Sequence, residues 1–195
     1  GGEVGVVGGD VSTVGPDTPA INDSGDGRIG NTADVSVIGD NSPGINEDGA
    51  GDVLNGGDIT TLGTNSDGIN EREDGDVNNS GEIITLGIDD SQGIFETGEG
   101  AVFNAGEIST LGINSPGIIE QDDGALTNVA PIGTFGDNSP GLLESGEGSV
   151  GNGGFIGTIG NDSHGILEED GGDVSNGGDI LTVGGDGDAD GFGAT

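Results

Sequence analysis

The sequence predicts an all-β β-solenoid: a single-stranded parallel β-helix of about eight coils, with 24 residues and three short strands to a coil. Three observations predict it. First, a 24-residue unit recurs, beginning at Asp10, Asp34, Asp58, Glu82, Glu107, Pro131, Phe155 and Asp179, and only the copy starting at Glu82 is longer, by one residue. A fixed period of this size marks repeats that stack on their neighbours. Second, apolar residues keep the same places in every copy and are mostly β-branched, which suits pleated strands. Third, they stand in short runs broken by Gly, Asn, Asp and Pro with no sustained 3.6-residue period, which reads as strand and turn.

The chain divides into residues 1–9, rich in Gly and Val; residues 10–184, the coils; and residues 185–195, rich in Asp and Gly. In the first segment Val4, Val6 and Val7 can pair as an edge strand with a neighbouring coil or chain. Within the coils four columns are apolar. The second position holds Val11, Val35, Ile59, Ile83, Ile108, Ile132, Ile156 and Ile180, and the fifth holds Val14, Ile38, Leu62, Leu86, Leu111, Phe135, Ile159 and Val183. The twelfth runs from Ile21 to Ile166 and the twentieth from Ile29 to Val174. These four columns are the expected core. It is thin, as it must be in a chain with 47 glycines, five Phe and no Cys, Met, Trp or Tyr. Strands are expected near the second to fifth, eleventh to thirteenth and nineteenth to twenty-first positions. At about 4.8 Å between coils the rod is roughly 38 Å long.

The polar columns are as regular. Asn31, Asn55, Asn79, Asn104, Asn128, Asn152 and Asn176 read as a structural ladder, since Asn tolerates left-handed turns and its amide can bond to the Asn above and below. The glycine column from Gly27 to Gly172 reads as a turn with positive φ. A Thr row, Thr13, Thr61, Thr85, Thr110, Thr134, Thr158 and Thr182, is interrupted by Val37. An ice-ordering surface would need two such outward rows, and the neighbouring column is apolar or mixed.

Acidic residues number 37 against two basic ones, Arg28 and Arg72, for a net charge of −35. Phosphate recognition needs Lys and Arg, so nucleic acid is excluded as a partner, and anionic membrane surfaces with it. No apolar run is long enough to span a bilayer, so no membrane insertion is expected of this segment. Hard cations, calcium above all, are the small partners such a chain favours. Two places are candidate metal sites. The fourteenth position is acidic in every complete copy: Asp23, then Glu47, Glu71, Glu96, Glu120, Glu144 and Glu168. Like charges opposed on neighbouring strands destabilise a sheet. The column is therefore a solvated edge with splayed side chains, a row of carboxylates bridged by cations, or buried paired carboxylates for catalysis, the last disfavoured on a repeated surface. The segment containing Asp186, Asp188 and Asp190 matches the opening of an EF-hand loop without its closing Glu.

The thirteenth position changes from Asn22, Asn46 and Asn70 to Phe95, Ile119, Leu143 and Leu167. Alternation aims it outward, which would make an apolar contact stripe; a strand that bends there would tuck it inside. Strict alternation would also turn the Glu column inward, so some bend near these positions is expected. No catalytic residue is expected. His164 stands where other copies have proline, and there is no nucleophile–His–acid set, no His cluster and no phosphate-cradling loop.

Segments such as Gly57–Ile69 and Gly106–Ile118 carry the I-x-T-x-G-x-x-S-x-G-I unit, and V-x-N-x-G turns join the units. In these the chain resembles the passenger repeats of bacterial autotransporter adhesins, over Asp10 to about Gly184. The resemblance implies a right-handed β-helix, as does the general rule for parallel crossovers. It also implies an extracellular or cell-surface location. The expected role is a non-enzymatic structural or adhesive stalk, partnered by itself, by a host or neighbouring cell surface, or by matrix. Two alternatives stand beside it: a subunit of an extracellular filament adding end to end through uncapped coils, and a carbohydrate-active β-helix.

Overall fold

The computed structural model describes residues 2–6, 8–185 and 192–194. They form a parallel β-solenoid of three sheets, each of eight strands, with no helix among the described residues. One coil shows the plan: strands Ile108–Leu111, Ile118–Gln121 and Ala125–Asn128 follow one another around the section. Each pairs in parallel with its equivalents one repeat away. Ile108 faces Ile83 and Ile132, Ile118 faces Ile94 and Leu142, and Leu126 faces Val102 and Val150. The first sheet starts with Val4–Val6, paired to Ile29–Asn31. The second runs from Val11–Val14 to Ile180–Val183. The third runs from Ile21–Asp23 to Phe192–Ala194, which pairs with Ile166–Glu169.

The extra residue of the fourth copy is absorbed in the turn after Ile83–Thr85. There the hydroxyl of Thr85 bonds the carbonyl of Ser91, six residues on, where other coils span five. Register resumes at once, because stacking on two neighbours fixes every strand.

Three of the four apolar columns form the core: the second, twelfth and twentieth positions are buried along the rod, from Ile21 and Ile29 to Ile156 and Ile166. The fifth column corrects the expected core. It faces solvent along the whole second sheet, from Leu86, 40 % exposed, to Val14, 76 %. The reason is the period of two: with the second position inward, the fourth is inward and the fifth outward. The inward place goes to Thr, whose hydroxyl closes a turn carbonyl; Thr110 Oγ1 donates to Ser115 O at 2.6 Å. The Thr row is therefore interior, Thr61, Thr85 and Thr134 being wholly buried, and offers no surface to ice.

The section is thus an aliphatic centre with three polar corners. Each corner carries the side chain that satisfies backbone groups a turn would otherwise leave buried and unpaired. Thr and Ser fill the corner between the second and third sheets, where Ser66 N donates to Ser91 Oγ and Ser91 N to Ser115 Oγ. Asn fills the corner between the first and second. Left-handed backbone falls not on these Asn but on the eighth position, for example Asn65 at φ 55° and Asn114 at φ 51°. Glu and Gly fill the third corner.

Candidate functional site: a buried carboxyl column

The third sheet needs no bend. Strand Leu142–Ser145 alternates, so Leu142 and Glu144 both point inward, and Ile118 and Glu120 stand in register with them. The solvated-edge alternative for the Glu column is therefore overturned. Glu47, Glu71, Glu96, Glu120 and Glu144 have no exposed surface, and Glu168 is 8 % exposed. Five side chains that ionise in water stand in single file inside the rod, in register with one another.

A local reason places them there. The chain turns from the third sheet back to the first over a glycine that cannot carry a side chain, since a Cβ on Gly124 would lie 1.9 Å from the carbonyl oxygen of Gly100. Close approach, not positive φ, is what this glycine column provides. The turn's amides point inward, and the glutamate four residues earlier accepts them. Gly124 N donates to Glu120 Oε1 at 3.0 Å, Gly148 N to Glu144 Oε1 at 3.2 Å and Gly75 N to Glu71 Oε1 at 3.2 Å. Glu47 Oε2 takes two such bonds, from Gly49 and Gly51.

In these four carboxyls one oxygen is so engaged and the other is not; in Glu96 neither is. Glu47 Oε1, Glu71 Oε2, Glu120 Oε2, Glu144 Oε2 and both oxygens of Glu96 are buried with no N–H or hydroxyl donor. Their neighbours are the next carboxyls in the column: Glu96 lies within hydrogen-bonding reach of Glu71 and Glu120, and Glu120 of Glu144. Carboxylates only accept, so two ionised neighbours leave these oxygens unpartnered, whereas a protonated acid supplies the missing O–H. Burial pushes every one of these acids up. Glu71 and Glu144 rise to about 8 and Glu96, with acids above and below, to about 11; Glu47 and Glu120 also move upward, with burial again the main cause. Burial and the unpartnered oxygens together favour the protonated form of Glu71, Glu96 and Glu144 at neutral pH, each O–H then bonding the next carboxyl in the file.

For calcium the donor set is thin. Each gap in the file offers two carboxyl groups, against the six to eight oxygens calcium takes. Among the described residues no three His, Asp or Glu side chains gather as a metal-holding set. The other candidate, Asp186, Asp188 and Asp190, lies outside the described residues, as does Val7.

The Asn ladder is in place. Each Nδ2 from Asn31 to Asn152 donates to the Oδ1 of the next Asn at 2.8 Å. Each also donates to the carbonyl two residues on, as Asn104 does to Gly106 O at 2.8 Å. The thirteenth position points outward but is sheltered beside the turn: Phe95, Leu143 and Leu167 are half-buried and Ile119 is 7 % exposed. Val4 is half-buried at the start of the first sheet, and Val6 pairs there with Asn31.

What sequence reasoning missed is the outer face of the second sheet. There Phe135, Phe155, Ile159, Leu181 and Val183 lie exposed together around the bare backbone of Gly133 and Gly157. A signal was available in the first position of the repeat, which is acidic in six copies and becomes Pro131 and Phe155 in two successive ones.

Three-sheet coils of this period, stacked on polar ladders with an aliphatic centre, define the chain as a β-helix repeat domain. It belongs to the family of the BigA third pectate lyase-like domain, whose profile matches residues 16–194. No curated protein and no solved structure matches the chain. At the level of a β-helix domain of a bacterial surface protein, the family agrees with the resemblance carried by the repeats.

Proposed function

We propose that the chain is a non-enzymatic rod displayed at or beyond the cell surface, a stalk or adhesin segment of the autotransporter type. The observation that supports this most is the unbroken register of three eight-stranded sheets, in which every strand is placed by its counterparts in adjacent coils. Such a rod transmits position along its length and presents rows of side chains on flat faces, which serves attachment. The family match supports a surface location.

Small-angle scattering and negative-stain microscopy of the purified chain test it. Discrete rods on the order of 40 Å long are expected from eight strands at the β spacing. Long fibres at the same concentration would favour the filament reading, in which the end strands Val11–Val14 and Ile180–Val183, each paired on one side only among the described residues, add to one another. The pectate lyase-like family name motivates one further assay. Release of unsaturated or reducing ends from polygalacturonate would overturn the non-enzymatic reading.

A further inference from the structure

The outer face of the second sheet carries an apolar row along its whole length, yet only in its C-terminal part do three columns change together. At the first position the exposed acids Asp34, Asp58, Glu82 and Glu107 give way to Pro131 and Phe155, and the acid returns at Asp179. At the third position Ser36, Thr60, Ile84 and Ser109 give way to Gly133 and Gly157. At the fifth, Phe135 and Ile159 follow Leu111. The result is a hollow of about 220 Å³ floored by the two glycines and walled by Phe135, Phe155, Ile159 and Leu181. The four walls are 45–56 % exposed.

The exchange is locally consistent. In ordinary coils the first-position acid accepts the amide of its successor, as Asp58 Oδ1 accepts Glu82 N at 2.9 Å. Pro131 has no amide to satisfy. Neither glycine has a left-handed backbone, and a Cβ on Gly157 would meet only the edge of the Phe155 ring, at 3.1 Å. Nothing in the strand demands glycine, so what the two glycines provide is the hollow itself. Phe155 stands 46 % exposed where six of the other copies have Asp or Glu.

We propose that this hollow is a docking site for a cationic amphipathic polypeptide segment, whose apolar side chains seat between Phe135 and Phe155 while its Lys or Arg residues meet the acids around it. Charge complementarity selects that occupant. Glu107 and Asp179 bound the hollow along the first column and Asp137 lies on the adjoining turn, all exposed, in a chain of net charge −35. A second copy of the chain would bring the same sign to the same face, and like-charge juxtaposition opposes it. The proposal deepens the adhesive reading by naming a contact surface. Rod length is measured separately from binding, so either can fail alone.

The test measures binding of a synthetic peptide of alternating Leu and Lys at physiological salt, beside versions with Ser for Leu and Glu for Lys. The expected order is Leu–Lys tightest, both controls weak. Two variants restore the ordinary repeat. Phe155→Asp removes a wall and adds a negative charge; Gly157→Thr fills the hollow with no change of charge. Both are expected to weaken Leu–Lys binding about tenfold or more, the worth of one buried apolar side chain. General attraction to an acidic rod predicts the opposite sign for Phe155→Asp and no effect of Gly157→Thr. Either of those results overturns the proposal, as does equal binding of the Ser–Lys peptide. Dimerisation of the parent chain that both variants abolish would also overturn it, assigning the face to a second copy.

Discussion

The Asn corner and the Glu corner run side by side through the same coils, at the same spacing, and both cap the turn that follows them. They differ in what stacking at about 4.8 Å asks of the side chain. An amide carries donor and acceptor, so Asn104 takes a bond from Asn79, gives one to Asn128 and still holds Gly106 O. A carboxylate only accepts, so the Glu column caps its glycine amides with one oxygen and leaves the other to its neighbour, and it closes only by holding protons. The same backbone thus builds one ladder indifferent to pH and one that depends on it.

The comparison is broken most severely on the amide side. Asn104→Ala strands Gly106 O and an N–H of Asn79 in the interior and leaves Asn128 Oδ1 only the 3.4 Å bond from Ala130 N. Each buried unpaired group costs about 1–3 kcal/mol, so a loss of about 3 kcal/mol or more is expected in urea unfolding. The loss should be the same at pH 5 and pH 8. A cost that grows with pH would mean the amide ladder is not independent of the carboxyl column.

The next effect concerns the Glu column itself. The unfolded chain releases these protons near the ordinary value of 4.5, while Glu71 and Glu144 hold them to about 8 in the rod. Between those values the folded state binds more protons, so stability is greatest in acid and falls as pH rises across that window. Repulsion among surface acids acts in the same direction, and Glu96→Gln separates the two. Glutamine brings its own N–H to the unpartnered oxygens of Glu71 and Glu120. At pH 5 the variant should match the parent. At pH 9, in high salt to screen the surface, it should be more stable by roughly 1–3 kcal/mol, the cost of the buried unpaired groups it removes. A parent stability that climbs from pH 5 to pH 9 would show that the column is ionised and compensated in some other way.

Period, coil length, strand number and the Asn ladder are legible in the sequence because stacking turns each repeat position into a column of one chemistry. The inward or outward sense of a column is not legible from its polarity. Leu111 is exposed and Glu120 buried, against every expectation of transfer energy, because the alternation set by Ile108 and Ile118 leaves each no other face. What the sequence does hold is the pairing of Glu120 with Gly124, four residues apart in copy after copy. It becomes meaningful only once the close approach of Gly124 to Gly100 shows why the turn's amide needs an interior acceptor.

The smallest expected effect belongs to the Thr and Ser corner and sharpens the ranking. Thr110 Oγ1 gives a single bond to Ser115 O and takes no part in a side-chain ladder of its own type. The molecule already contains the relevant substitution, since Val37 occupies the equivalent place in the second coil, 1 % exposed, with the strands on both sides in register. Thr110→Val should therefore cost about 1 kcal/mol, one neutral hydrogen bond, at any pH. If urea unfolding instead shows a loss equal to that of Asn104→Ala, the corners are equivalent in strength. The distinction between a ladder that links many coils and a bond confined to one coil would then carry no energetic weight.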